Sequence, residues 1–235
     1  MLKSNGNYDT VGGAIVLPGA QYWLAIVAIM VSITGSAFTT NLAQHGGAIS
    51  IGAGKVLITR STFTSNVATG TDAPLGGAVS LRVDNHDPPY ARAVSFVGCE
   101  FTSNSASGGS GGAIYSGVGN VSIIASTFTI TSNTAQGSAL ALQDPGYGHS
   151  AVSVIGSTFA SNNDTCGRRP NDVCGSAIYV MFYDEDHNLN FHLANVTFIG
   201  NLHAIDCGAG FSILKNGHFA KLTVNRNCSI TKNSC

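Results

Sequence analysis

The chain has 235 residues, of which 44% are apolar and only 10% are charged, with 11 Lys and Arg residues against 12 Asp and Glu residues. This content can fill a sizeable core and excludes a disordered chain, which needs low hydrophobicity and high net charge. Because the charges nearly cancel, no basic face is left for nucleic acid or anionic lipid, and both partners are excluded.

The first elements in the chain argue against a signal or a membrane span. Leu2-Lys3-Ser4-Asn5 has no apolar core of its own and does not predict a secretory signal within this segment. The apolar run from Tyr22 to Ile33 holds roughly a dozen residues, whereas a spanning helix needs about 20. We therefore expect a buried strand region there.

A block of small residues recurs along the chain and predicts a strand that is entered through a tight turn. Its paired glycines permit turning and close approach where a side chain would collide. A last, weaker copy is expected at Ala204-Ile205. The other copies are Gly12-Gly13-Ala14-Ile15, Gly46-Gly47-Ala48-Ile49, Gly76-Gly77-Ala78-Val79, Gly111-Gly112-Ala113-Ile114, Gly137-Ser138-Ala139-Leu140 and Gly175-Ser176-Ala177-Ile178.

A second block has an apolar residue, another two positions later and Phe seven positions after the first. Its period of two points Val, Ile and Phe inward and Ser, Thr and Lys outward. The copies are Val31, Ile33, Phe38; Val56, Ile58, Phe63; Val94, Phe96, Phe101; Val121, Ile123, Phe128; Val152, Val154, Phe159; and Phe191, Leu193, Phe198.

An Asn follows each of these Phe residues, usually three positions later, and an Ala often comes next. The Asn residues are Asn41, Asn66, Asn104, Asn162 and Asn201, and the Ala residues are Ala43, Ala68 and Ala106. Asn133 comes two positions late, which predicts a bulge. Asn suits a corner because it tolerates left-handed backbone and because its amide can bond to the same Asn above and below.

Self-similarity of this kind predicts a solenoid, here an all-β parallel β-helix of about seven coils. Equivalent residues then stack at roughly 4.8 Å, the spacing of neighbouring strands. Phe on Phe forms an aromatic ladder along the axis. The insertions between blocks vary in length, which suits rigid strands joined by elastic corners.

The Gly-Gly-Ala-Ile and Phe-x-x-Asn blocks resemble the repeats of the polymorphic outer membrane protein family, first known from chlamydial surface proteins. The resemblance extends from Leu2 to Asn233. It implies a right-handed, single-stranded parallel β-helix that is displayed outside a cell and used in adhesion or structure. Nothing in the chain resembles the autotransporter barrel of the bacterial members.

Long insertions follow the Gly-Gly-Ala-Ile strand in several repeats, and equivalent corners of a solenoid line up along one edge. Aromatic, carboxylate and imidazole side chains there are suited to a glycan or a cation. Solvated polar loops that cover the turn are the simpler interpretation. The predicted ligand-binding residues are Tyr22, Trp23, His86, Asp87, Tyr90, Tyr183, Asp184, Glu185, Asp186 and His187, and the same edge holds Asp84, Asp144, Tyr147 and His149.

Six cysteines and four sequon-like triplets, at Asn120, Asn163, Asn195 and Asn227, favour an oxidising, secreted compartment and N-glycosylation. We prefer a disulfide between Cys166 and Cys174, which bracket a polar insertion, and a second between Cys207 and either Cys228 or Cys235. Cys99 and Cys228 lie in equivalent positions four coils apart, roughly 19 Å, which is beyond disulfide reach. Cys99 is therefore expected to be a free, buried thiol. Without a Cys-x-x-Cys pair, no metal site is predicted.

The ends of the chain fall in the same place within a repeat. Leu2 to Asn5 occupies the position of Phe-x-x-Asn, and Ile230-Thr231-Lys232-Asn233 occupies it again at the far end. Solenoids normally cover their end strands with polar caps. We expect one domain over 1–235 that is either a segment of a longer protein or a subunit that stacks head to tail. Short frayed ends covered by loops are the alternative.

These features favour an extracellular structural or adhesive module, partnered by copies of itself and by glycans, with no cofactor and no catalytic residue. A polysaccharide lyase, hydrolase or epimerase, or a glycan-binding module, is the main alternative, because many parallel β-helices act on acidic glycans. Such enzymes need carboxylates clustered on an outward strand face, whereas the outward strand positions here are mostly Ser, Thr, Gly or Arg. Ice binding through threonine ladders is a third, weakened because Glu100, Ala160 and Ile199 interrupt the array.

Overall fold

The structure is a computed structural model that describes residues 2–3, 14–17, 30–52, 55–70, 73–81, 93–117, 120–133, 137–143, 150–164, 177–182, 189–203, 211–215, 221–224 and 229–231. Within these ranges the chain forms strands and turns and no helix. All strand pairings are parallel, and they build four stacked sheets.

Two of the sheets follow each other directly along the chain. The Phe sheet, named for the residue at its centre, consists of β1 Leu2–Lys3, β4 Ala37–Thr39, β8 Thr62–Thr64, β12 Glu100–Thr102, β16 Thr127–Thr129, β20 Thr158–Ala160, β24 Thr197–Ile199 and β28 Ser229–Thr231. The Ala sheet consists of β5 Leu42–Ala43, β9 Val67–Thr69, β13 Ser105–Ser107, β17 Ser132–Asn133, β21 Asn163–Asp164 and β25 Leu202–His203.

The other two sheets carry aliphatic side chains into the core. The Ile sheet consists of β2 Ile15–Leu17, β6 Ile49–Ile51, β10 Val79–Leu81, β14 Ile114–Ser116, β18 Leu140–Gln143, β22 Ile178–Phe182 and β26 Phe211–Lys215. The Val sheet consists of β3 Met30–Thr34, β7 Lys55–Thr59, β11 Ala93–Val97, β15 Asn120–Ile124, β19 Ser150–Ile155, β23 Leu189–Ala194 and β27 Lys221–Val224.

The chain visits the four sheets in a fixed order, from the Phe sheet to the Ala, Ile and Val sheets and back to the Phe sheet. We call one such traverse a repeat. Successive repeats pair without slippage, as in Val56↔Val94 and Phe63↔Phe101. This arrangement is all-β and consistent with a parallel β-solenoid, as the recurring blocks predict.

A column of stacked Phe rings runs through the core. Phe38, Phe63, Phe101, Phe128, Phe159 and Phe198 succeed one another with ring centroids 4.7 to 5.3 Å apart and interplanar angles of 16° or less. All six side chains are at most 1% exposed. The predicted aromatic ladder is confirmed.

A second column consists of buried asparagines. The backbone N and Nδ2 of Asn41 both donate to Asn66 Oδ1, at 3.1 and 2.8 Å, and Asn66 donates in the same way to Asn104 Oδ1 at 3.0 Å. Nδ2 of Asn66 also donates to Phe38 O at 3.1 Å, in the preceding repeat. Asn162 repeats the pattern towards Asn201. The predicted hydrogen bonding from Asn to Asn is confirmed.

The bulge expected at Asn133 is wrong. Ser132 pairs with Ser105, and Asn133 pairs with Ala106, so the register continues without an extra residue. Thr131 takes the place of Asn in this repeat, and its Oγ1 donates to Asn162 Oδ1 at 2.5 Å. A hydroxyl thus continues the column where the amide is missing.

The left-handed role expected of these asparagines is also wrong. The residue with positive φ is the one just before each Asn, such as Thr40 at 55° and Ser65 at 54°. A second left-handed position lies three residues before each Phe, where Arg60 has φ of 48° and Asn195 has 54°. Asn is required inside the column for its hydrogen bonds, not for its backbone.

Each of the two paired glycines has one of the roles predicted from the sequence, which are tight turning and close approach of the backbone. Gly76 has φ of 67°, in the left-handed region that favours glycine. Gly77 lies so close to the next repeat that a Cβ would come within 2.0 Å of Gly112 O. A side chain at the second position would therefore separate the backbones of adjacent repeats.

The ends of the described chain follow the predicted register with one exception. Leu2 pairs with Phe38, and Ile230 pairs with Phe198, so both occupy the Phe position. The copy expected at Ala204-Ile205 is wrong, because the strand that pairs with Ile178 begins at Phe211. The position of Ile178 is therefore filled in the last repeat by Phe211.

Candidate functional site

The binding edge predicted from the sequence lies outside the described residues. This applies to the whole set, namely Tyr22, Trp23, His86, Asp87, Tyr90, Tyr183, Asp184, Glu185, Asp186 and His187. The disulfide candidates Cys166, Cys174, Cys207 and Cys235 lie outside them as well, as does Asn227. These assignments stay predictions.

Of the predicted modification sites, Asn120, Asn163 and Asn195 are described. Asn120 is the exposed first residue of β15 in the Val sheet, and Asn163 is half-buried in the Ala sheet. Asn195 is exposed on the left-handed corner between the Val and Phe sheets. The fold therefore distributes these residues over different faces and does not bring them together.

Cys99 is a free thiol, 1% exposed, as predicted. It stands two residues before Phe101, in a column that is serine at Ser36, Ser61, Ser126 and Ser157 and valine at Val196. The backbone N of Cys99 donates to Ser126 Oγ at 3.1 Å, and Sγ lies 3.6 Å from Val97 O. Burial raises the pKa of the thiol, and backbone hydrogen bonds, the first from Ser61, lower it by less.

This serine column was missed by the sequence reasoning, although its signal was present. Each hydroxyl donates to the carbonyl two residues earlier, as Ser126 Oγ does to Ile124 O at 3.0 Å. Ser61, Ser126 and Ser157 also accept a backbone N–H of the preceding repeat, as Ser157 Oγ does from Ser126 N at 3.1 Å. Ser at a constant distance before Phe is the pattern that predicts it. Its role is structural, since it satisfies polar groups inside the core.

The outer side of the Phe sheet is a flat surface of short side chains, which we call the threonine face. Its two columns flank the buried Phe column and consist of Ala37, Thr62, Glu100, Thr127, Thr158 and Thr197, and of Thr39, Thr64, Thr102, Thr129, Ala160 and Ile199. Four threonines, from Thr39 to Thr129, follow one another without interruption. Glu100 is the only charged residue among these twelve.

A groove of about 380 Å³ runs along the outside of the Val sheet, and no pattern in the sequence predicts it. Its outward side chains come from five successive strands and are Met30, Lys55, Leu57, Ala93, Ser95, Asn120, Ser122, Ala151 and Ser153. The backbones of Val56, Val94 and Val121 complete it, although their side chains point into the core. We call it the Val-sheet groove.

The chemistry of the described surface is that of hydroxyls and small apolar groups. Among the described residues, no three His, Cys, Asp or Glu side chains lie close enough together to hold a metal ion. The described part of the chain also holds no helix with the length and hydropathy needed to cross a bilayer.

Comparison of the chain with protein-family models, with curated proteins and with solved structures found no match in any of the three. The relationship to the polymorphic outer membrane protein repeats therefore stays a prediction from the sequence blocks.

Proposed function

We propose that the chain is a right-handed, single-stranded parallel β-helix of about seven coils that serves as an extracellular structural or adhesive module within a cell-surface or filament assembly. Its blocks resemble those of the polymorphic outer membrane proteins, from which the handedness and the surface location are drawn. The threonine face is the observation that carries the proposal.

A face of this kind is suited to lying against another regular surface. Thr39, Thr64, Thr102 and Thr129 repeat at the strand spacing of roughly 4.8 Å on a rigid, aromatic-cored sheet. Short β-branched side chains have little conformational freedom to lose on contact. With one charge among these twelve side chains, contact buries few charged groups, whose burial costs far more than that of hydroxyls.

The interior favours a structural role as well. Hydrogen-bonded columns of Asn and Ser satisfy the buried polar groups of each repeat through its neighbours, as between Asn66 and Asn104 or Ser126 and Ser157. Such contacts bind each repeat to the next rather than shaping a cleft at one point. The result is a uniform rod-like unit rather than a scaffold built around one pocket.

The test uses the full chain, exported from eukaryotic cells behind an added signal peptide. Light scattering should show multimers of the purified protein, and electron microscopy should show fibres or layers. The double substitution Thr64→Lys with Thr102→Lys puts two charges on adjacent repeats of the threonine face, and it should shift the protein to monomers because those charges resist burial.

The matched control places the same charges elsewhere. Ser105→Lys with Ser132→Lys also changes adjacent paired residues, on the outer side of the Ala sheet, and should leave assembly unchanged. Wild-type protein that stays monomeric at every concentration, without fibres or layers, would contradict the proposal. If both lysine pairs shifted the protein to monomers equally, the threonine face would not be the contact between molecules.

A further inference from the structure

The Val-sheet groove contains a sequon residue on the fourth of its five strands. Along the outward column at the start of the strands, the order is Met30, Lys55, Ala93, Asn120 and Ala151. Asn120 is exposed and lines the groove, and Ser122, the third residue of the triplet Asn120-Val121-Ser122, lines it two residues further along the same face.

The residues on either side of Asn120 leave space around its amide. Its two partners in the neighbouring strands are Ala93 and Ala151, both exposed and both without atoms beyond Cβ. From Asn120 the groove continues over three strands to Met30, roughly 14 Å at the usual strand spacing. That distance exceeds the length of a disaccharide.

The walls and floor of the groove match the surface of a sugar chain. Met30 is 71% exposed and Leu57 is 37% exposed, and both supply apolar surface to the groove. Ser95 and Ser122 add hydroxyls that can hydrogen-bond to sugar hydroxyls. Apolar contacts with a few placed polar groups are typical of small-molecule sites.

We propose that Asn120 carries an N-linked glycan whose inner sugars lie along the Val-sheet groove and cover it. This inference rests on the proposed export of the chain, because N-glycans are added in the secretory pathway. The donor is a lipid diphosphate-linked oligosaccharide. Nδ2 of Asn120 forms a bond to C1 of the first sugar, the C1–O bond to the diphosphate breaks, the amide proton passes to an enzymatic base, and the lipid diphosphate leaves with the bonding electrons.

A glycan on Asn120 would lie in the groove, unlike a glycan on a corner residue. Position 130 offers a control for this difference. Ile130 is 58% exposed on a left-handed corner at the edge of the Phe sheet. Ile130→Asn creates a new sequon there with Thr131 and Ser132, and Asn is readily accepted in left-handed backbone. Position 130 is not among the residues that line the Val-sheet groove.

The first experiment measures occupancy and release in the exported Ile130→Asn protein. Glycopeptide mass spectrometry should find Asn120 modified. Peptide N-glycosidase acting on the folded protein should release the Asn120 glycan several-fold more slowly than the glycan at position 130, and denaturation should remove the difference. An unmodified Asn120 in the exported, folded protein would overturn the inference, and so would equal rates of release from the folded protein.

The second experiment measures the exposed groove with a fluorescent dye that binds apolar surfaces. Asn120→Gln should raise dye binding several-fold, whereas Ser122→Thr preserves the sequon and should leave dye binding at the wild-type level. No increase on Asn120→Gln would overturn the inference. Light scattering of the same samples reports on assembly, so a monomeric protein with a protected Asn120 glycan would contradict the structural proposal alone.

Discussion

The Phe column and the Asn column run side by side through the same repeats, three residues apart, yet they tolerate change in different ways. The Phe column accepts Leu2 and Ile230 at its two ends, in register with Phe38 and Phe198. The Asn column is replaced within the described repeats only by Thr131, which keeps a side-chain hydrogen bond to the following repeat.

The difference reflects the nature of the two interactions. Stacked rings gain from contact area and shape, so that another apolar side chain of similar bulk retains part of the energy. An amide in the Asn column makes directed bonds, since Asn66 donates to Phe38 O and Asn104 Oδ1 and accepts from Asn41. Removing one such group leaves several buried partners unsatisfied. Substitutions in the two columns should therefore separate the loss of contact area from the loss of hydrogen bonds.

The largest effect is expected from Phe101→Ala, in the middle of the Phe column. The change removes stacking on Phe63 and Phe128 and leaves a cavity, which should lower the free energy of unfolding by about 3–5 kcal/mol. Urea denaturation followed by circular dichroism measures it. Phe101→Leu should lose less than half as much free energy of unfolding as Phe101→Ala. Equal losses in the two variants would contradict the role of side-chain bulk.

Asn104→Ala should break the Asn column at a cost of about 2–3 kcal/mol. The change leaves the backbone N and Nδ2 of Asn66 and the carbonyl of Phe63 without their partner in a fully buried site. The same denaturation experiment measures it. Asn104→Thr supplies the side chain that the protein already uses at position 131 and should lose less. A threonine variant as unstable as the alanine variant would show that a hydroxyl cannot continue the column.

Thr131→Asn should make the Asn column continuous through this repeat. The new amide can accept from Asn104 and donate to Asn162 Oδ1, so we expect a gain of about 0.5–1.5 kcal/mol. Thermal unfolding should show a higher midpoint. A loss of stability instead would mean that the repeat around Thr131 has adjusted to the shorter side chain.

The smallest effect concerns Cys99 in the serine column and depends on pH. Burial raises the pKa of the folded thiol above its ordinary value of 9.0, so the fold favours the neutral form. The free energy that the neutral thiol contributes to folding is complete while the pH lies below the pKa of the unfolded thiol. This contribution is lost as the pH rises beyond that pKa, because the unfolded chain then releases the proton first. Cys99→Ser should remove this part of the decline in unfolding free energy as pH rises above 9.0, which urea denaturation at a series of pH values measures. An unchanged pH dependence would contradict it.

The interior could be predicted from the sequence because each inward residue contacts its equivalents in the adjacent repeats. That constraint imposes one residue type on each column and leaves a fixed spacing in the chain, as for Phe63 and Phe101 or Asn66 and Asn104. Gly77 is predictable for the same reason, since the backbone of Gly112 leaves no room for a side chain. The serine column obeys the rule too and was missed only because Ser is common throughout this chain.

The outer surface of the Val sheet could not be predicted in the same way. Its side chains face solvent, so neighbouring repeats impose no common residue type, and Met30, Lys55 and Ala93 share one column of the Val sheet. The Val-sheet groove depends on this irregular mixture of sizes. Substitution inside a column also hides its signal, as when Thr131 replaced Asn and shifted the expected position to Asn133.

The presence of one residue type per column has a consequence for how proteins of this kind change in length. If the repeat that contains Phe101 were deleted, Phe63 would stack on Phe128, and similar residues would again be neighbours across the junction. Duplication of a repeat would preserve this match between neighbouring residues as well. A gene encoding such a chain can therefore gain or lose whole units, and the span of the molecule can vary, without any redesign of its interior.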